Sequence, residues 1–197
     1  MRIINWVKTV PVLVIVGSVL FCVLSVGGTL LLWGANFAND VVHTQLSAQK
    51  ISFPPKGPAL DPKEFPGLQK YAGQPVDNGP KAKAYADQFI KKHLQQVAGG
   101  KTYSEVSTLS RNNPNDQQLA EQTQTLFRGE TLRGLLLNVW GWATMGAIAY
   151  WVGIAAWIGA LAVLGALVLG FVMHERNRKR QAATVTVPVE ERVLETA

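Results

Sequence analysis

The stretch GLLLNVWGWATMGAIAYWVGIAAWIGALAVLGALVLGFVM, Gly134–Met173, decides the fold. Its forty residues contain no Asp, Glu, Lys, Arg or His. A helix rises ~1.5 Å per residue, so an unbroken one of this length runs roughly 60 Å. A bilayer core is about 30 Å thick and is crossed by ~20 residues. The stretch is therefore two spans back to back, or one span with an apolar extension outside the lipid. Two spans here would need a turn near Trp151-Val152-Gly153, which offers no polar residue and only one glycine. A single span fits better. Counting back about 20 residues from Met173 puts its outer edge near Tyr150, Trp151 and Gly153, a depth where aromatic residues belong.

Pro11–Trp33 is a second block without a charge, with Trp6 and Trp33 at its edges. It is longer than the apolar region of a cleaved signal peptide, and Asn36-Phe37-Ala38 is a poor cleavage site. A retained anchor is expected. Arg2 and Lys8 precede this block and Asp40 is the first charge after it, while Arg176, Arg178, Lys179 and Arg180 follow the second. Basic flanks mark the cytoplasmic side, so both termini are expected inside and an even number of spans follows. The same four residues suit contact with anionic lipid head groups. The expected organisation is a cytoplasmic N-terminus over 1–10, a span over 11–33, an extracytoplasmic domain over 34–149, a span over 150–173 and a basic cytoplasmic tail over 174–197.

The net charge of +6 is no nucleic-acid footprint. Residues 34–133 hold twelve Lys/Arg and nine Asp/Glu, a net of +3 with no run. Cys22 is the only cysteine and lies in the first apolar block, so the domain must hold by packing alone.

Within the domain, residues 34–50 can extend the first helix. Residues 51–80 carry seven of the ten prolines, which bar helix interiors and remove backbone donors. This segment is expected to be extended and irregular, draped over the domain or tethering it. A helix is predicted from Pro80 to Val97, with Ala82, Tyr85, Ala86, Phe89, Ile90, His93, Leu94 and Val97 on one face and Gly99-Gly100 as its stop. Thr102-Tyr-Ser-Glu105 fits a capping box opening a short helix. Asn112-Asn113-Pro114 breaks that helix, and a long one is predicted from about Pro114 to Met173, its middle third wrapped by the domain. No stretch shows strand alternation. The fold class expected is all-α.

On the long helix, Leu135, Val139, Trp142, Gly146 and Ala149 share one line. With Tyr85, Phe89 and Ile90 facing Leu135, Val139 and Trp142, they form the expected domain core. That leaves Leu136, Leu137 and Trp140 as the expected partner surface. In the apolar blocks, Ser18, Cys22, Ser25 and Thr29 recur at helical spacing, as do Ala155, Gly159, Ala162, Ala166 and Gly170. Stripes of small residues let helices approach closely in lipid; these would join the two spans to each other or to another subunit.

Catalytic patterns are sparse. Gly100-Lys101-Thr102 mimics the end of a phosphate loop, but Gln95 stands where the first glycine is needed and a helix precedes it instead of a strand. Asp40 and His43 are three apart and could share a metal, but a site needs a third protein ligand and no spacing nominates one. No Gly-x-Ser-x-Gly, His-Glu-x-x-His or Cys-x-x-Cys occurs. No catalytic, cofactor or metal residue is assigned.

Four segments are similar to an uncharacterised family of actinobacterial two-span membrane proteins: GLQKYAGQPVDNG (Gly67–Gly79), AYADQFI (Ala84–Ile90), GKTYSEVS (Gly100–Ser107) and LFRGETLRGLLLN (Leu126–Asn138). The resemblance covers most of residues 10–173, leaves out the tail, and implies topology without an activity. Such chains are sometimes called aromatic ring-opening dioxygenases, a name that no iron-ligand set in these residues supports. The function expected is that of a non-enzymatic accessory or scaffold subunit of a cell-envelope or membrane complex. Its partners would be lipid and another membrane protein or a second copy, with no nucleic acid and no cofactor. The alternatives are an envelope sensor or ligand-binding receptor, and a membrane enzyme acting on lipid or cell-wall precursors.

Overall fold

A computed structural model describes residues 2–185, with side chains over 11–181. The side chains of Arg2, Trp6 and Lys8, and the end of the tail, lie outside the described residues. Two long helices dominate: α1 (Arg2–Gln49) and α5 (Gln117–Val185). Between them come a 3-10 turn (Pro66–Tyr71), α2 (Gly79–Ala84), a π-helical turn (Tyr85–Ile90), α3 (Lys91–Val97) and α4 (Tyr103–Asn112). The fold is all-α, and the described residues contain isolated bridges but no strand. Both α1 and α5 contain segments long and apolar enough to cross a membrane. The chain divides into two compact units, residues 33–150 and the remainder, and each long helix contributes to both.

In the unit built from the ends of α1 and α5, glycines receive large side chains. A Cβ on Gly17 would meet Leu167 Cδ2 at 2.7 Å, one on Gly28 would meet Trp157 Cδ1 at 2.9 Å, and one on Gly153 would meet Leu32 Cγ at 3.0 Å. Gly28 and Gly153 also oppose each other, each carbonyl oxygen 3.1–3.2 Å from the other's notional Cβ. Each glycine is thus a hole for a knob, and Ala160 between them is fully buried. Of the small-residue stripes, Ser25 and Gly159 are half-buried, while Ser18, Cys22, Thr29, Ala155, Ala162, Ala166 and Gly170 are exposed. Close packing sets small residues against large ones here, and backbone against backbone where Gly28 faces Gly153. Thr29 turns its hydroxyl back onto its own helix, donating to the Ser25 carbonyl at 2.8 Å.

The unit of residues 33–150 has a conventional core. Phe53, Leu60, Phe65, Leu68 and Val76 from the Pro-rich segment are buried with Val42 and Leu46 of α1, Ala82, Ala86, Ile90 and Leu94 of α2–α3, Val106 of α4, and Leu126 and Leu136 of α5. The Pro-rich segment therefore drapes over the helices. Its two arms are tied by Phe53 N–H to the Gln74 carbonyl (2.9 Å), Val76 N–H to Ile51 (2.9 Å) and Gly73 N–H to Pro54 (3.0 Å). Gly73, at φ +71°, makes the turn that returns the second arm. Gln69 Nε2 donates to the carbonyls of Leu60 (2.8 Å) and Phe65 (3.2 Å), tying the 3-10 turn to the segment before it.

Ala82, Ala86, Ile90, Leu94 and Ala98 are buried at strict four-residue steps. An α-helix advances ~100° per residue, so such a repeat slips about 40° at each step. The π-helical turn in the middle, with i→i+5 bonds and more residues per turn, takes that slip back. This is why His93 and Val97, predicted on the buried face, are exposed.

Candidate functional site: an open apolar side of α5

The α5 segment from Leu126 to Tyr150 has one side in the core and one outside it. Leu136 is 3% exposed, with Leu137, Val139 and Ala143 packed against the core. At Ala143 the approach is so close that a Cβ on Gly79 would collide with the Ala143 methyl. Leu135, Trp142, Met145 and Ile148 are 62%, 58%, 65% and 59% exposed. Two expectations are therefore reversed. Leu135 and Trp142 are not core residues, and Leu136 is not a partner surface. Trp140 is half-buried beneath the Lys83 ammonium, which stands 3.9 Å from its ring centre. Tyr85 and Phe89 lie against the core and Ile90 lies within it. Arg176, Arg178, Lys179 and Arg180 are exposed.

The physical reason for the reversal is rotation about the helix axis. A run apolar all round carries almost no periodicity. Asn138, the one strongly polar residue near its start, was the available signal. At ~100° per residue the positions opposite Asn138 are Leu136, Trp140 and Ala143, and those are the ones the domain covers. Met145 and Ile148 were missed for the same reason.

Many polar groups of the domain are tied into its structure. Asp87 Oδ1 accepts from Arg133 Nη2 at 3.2 Å, and Oδ2 lies 3.3 Å from Lys83 Nζ. Arg133 Nη1 also reaches Glu130 at 3.1 Å. Burial alone would raise the Asp87 carboxyl, but the hydrogen bonds and charges of Arg133 and Lys83 outweigh it and hold the group below its ordinary value. Glu105 is held low by hydrogen bonds from the Thr102 backbone (2.7 Å) and hydroxyl (2.8 Å), completing the capping box. Asp77 pairs with Lys81 (3.0 Å), Glu64 with Lys92 (3.2 Å), and Asp61 and Asp116 cap turns.

Two of the three histidines are tied likewise. A carbonyl can only accept, so His43 Nδ1 donates to Asp77 O (3.1 Å) and His93 Nδ1 donates to Phe89 O (2.9 Å). His93 also stacks on Phe65, extending a ring series through Phe89, Tyr85 and Phe53. Among the described residues, no three His, Cys, Asp or Glu stand close enough to share a metal ion. A cavity of about 380 Å³ separates the Pro-rich segment from α3, lined by Glu64, Phe65, Gly67, Gln88, Lys91 and Lys92. Lys92 Nζ crosses it to bond the Glu64 carbonyl at 3.0 Å. No protein-family model matches the chain, nor does any curated protein or solved structure.

Proposed function

We propose that the chain is an integral protein of the plasma membrane with two spans, over about 11–33 and 150–173, an extracytoplasmic helical domain and both termini in the cytoplasm. In this reading the domain is a non-enzymatic accessory or scaffold module that docks another membrane protein or a second copy of the chain. The open side of α5 carries the proposal. Burying one large apolar side chain is worth ~1.5–3 kcal/mol, so Leu135, Trp142, Met145 and Ile148 left in water forgo several kcal/mol. Basic residues outside both apolar blocks support the orientation. Capped and paired carboxylates support a structural over a catalytic role. Membership of the actinobacterial two-span family belongs to the same proposal and rests on the four segments alone.

Mild-detergent purification with mass spectrometry of co-purifying proteins tests it. A stoichiometric partner or a dimer is expected from the wild type and is lost in the Trp142→Asp, Met145→Asp double variant while helicity is retained. A chain that purifies alone and monomeric sinks the docking role. One observation favours a second reading, that of a ligand-binding receptor: the 380 Å³ cavity beneath the Pro-rich segment. A small solute that raises the wild-type thermal midpoint, and fails to do so after Gln88→Trp, would select it.

A further inference from the structure

Past the contact of Gly17 with Leu167, a cavity of about 570 Å³ lies between α1 and α5. Leu13 and Val16 line one wall; Val163, Ala166, Gly170 and Phe171 line the other. One end is closed by Leu167, whose Cδ2 would be 2.7 Å from a Cβ on Gly17. The other end is polar, with His174 and Asn177 in its wall. On the same two turns of α5 stand Arg176, Arg178 and Lys179, all exposed, with one carboxylate, Glu175, held 3.6 Å from Arg178. Residues 174–180 carry four cations and one anion, a net of +3. An apolar slot whose polar end borders a cationic turn of the helix matches one kind of molecule in a bilayer. Taking a methylene as about the size of a water, ~30 Å³, the slot holds roughly fifteen to twenty of them, a single acyl chain.

We infer that this groove is a binding site for an anionic phospholipid, one acyl chain lying between the helices and the head-group phosphate by His174 and Asn177, within reach of Arg178 and Arg180 on the next turn. The inference rests on the membrane reading above. An acyl chain gains little by leaving one hydrocarbon environment for another, so selectivity comes from the head group. Basic pockets between helices at a membrane edge take anionic lipids on this ground, each cation worth roughly a fivefold preference.

Native mass spectrometry of the full chain, released from nanodiscs of equal phosphatidylglycerol and phosphatidylcholine, tests the site. The wild type should retain phosphatidylglycerol over phosphatidylcholine by about tenfold or more. Arg178→Gln with Arg180→Gln should bring that ratio close to one. Ala166→Trp, which fills the slot, should abolish retention of either lipid with helicity unchanged by circular dichroism. Equal retention of both lipids by the wild type overturns the site, as does unaltered retention in Ala166→Trp. So does a lipid-free dimer that Ala166→Trp dissociates, which would make the groove a contact between copies. Alkaline carbonate extraction of cell membranes separates the two levels. A chain released to the supernatant ends the membrane reading and this site together, whereas a chain that stays in the pellet but shows no adduct ends only the site.

Discussion

The two units of this chain expose apolar side chains in different ways. Val12, Leu13, Val14, Ile15 and Val16 of α1 are consecutive and all exposed, so the helix shows apolar surface in every direction. In residues 33–150 most exposed positions of α2–α4 are polar. There, the large exposed apolar residues are chiefly Leu135, Trp142, Met145 and Ile148 of α5, with Trp33 and Phe37 of α1. Surface apolar on every side suits a hydrocarbon solvent. A single apolar side suits a partner with a shape. The difference teaches that Gly134–Met173, uniform in composition, is packed in two different ways.

Mutations on either side of α5 should break this contrast most sharply. Leu136→Asp buries a carboxylate in the core and should cost more than ~4 kcal/mol, while Leu135→Asp should leave the thermal midpoint nearly unchanged and weaken assembly. Equal midpoints of the full-length variants in detergent would put the domain on the wrong side of α5. Phe53→Ala removes a ring that is almost fully buried among Tyr71 and Tyr85, at a cost of about 3–5 kcal/mol. The exposed Trp142→Ala should stay within ~0.5 kcal/mol of the wild type in the same assay. In the other unit, Gly153→Leu forces a side chain into Leu32 and should cost about 1–3 kcal/mol. Gly165→Leu, where an added Cβ meets nothing within 4 Å, should cost far less. Matching losses at both glycines would refute the knob-and-hole packing.

Smaller effects follow from charge. The folded Asp87 carboxyl titrates below its ordinary value of about 3.9, so its stabilisation is complete above that pH and is lost as pH falls through the folded value. Arg133→Gln removes the principal partner. Its stability deficit, at most ~1 kcal/mol for so accessible a pair, should be present at pH 5–7 and close below about pH 4. A deficit that widens on acidification would reverse the assignment. Smallest of all, His43→Ala should leave metal content and thermal midpoint near wild type, because His43 only donates to the Asp77 carbonyl. One iron per chain by elemental analysis, lost in His43→Ala, would restore the dioxygenase name.

Much of the fold could be read along the chain. The apolar blocks announce helices long enough to cross a bilayer, the prolines forbid helix over 51–80, and Thr102–Glu105 declares its own cap. Other features turned on contacts between distant residues. Pro80 marked the start of α2, but the cap is Asn78, whose Oδ1 accepts from Lys81 N–H at 3.0 Å. The π-helical turn leaves no local signature. It answers the need to keep Ala82, Ala86, Ile90, Leu94 and Ala98 under one cover. The open side of α5 was half legible, through Asn138.

Composition and spacing decide which segments are helical, how long they run and which of them water will not tolerate. Those are local properties, set by side-chain transfer energies and by the geometry of prolines and caps. Rotation about a helix axis is a different kind of quantity. Where a helix is apolar all round, each rotation buries nearly the same area, so the hydrophobic effect cannot choose among them. The choice passes to shape. Gly79 must meet Ala143, Gly28 must meet Trp157, and Gly129 must meet Leu94. These close approaches exist only once the chain has folded, and they set which side of α5 is covered and which stays open.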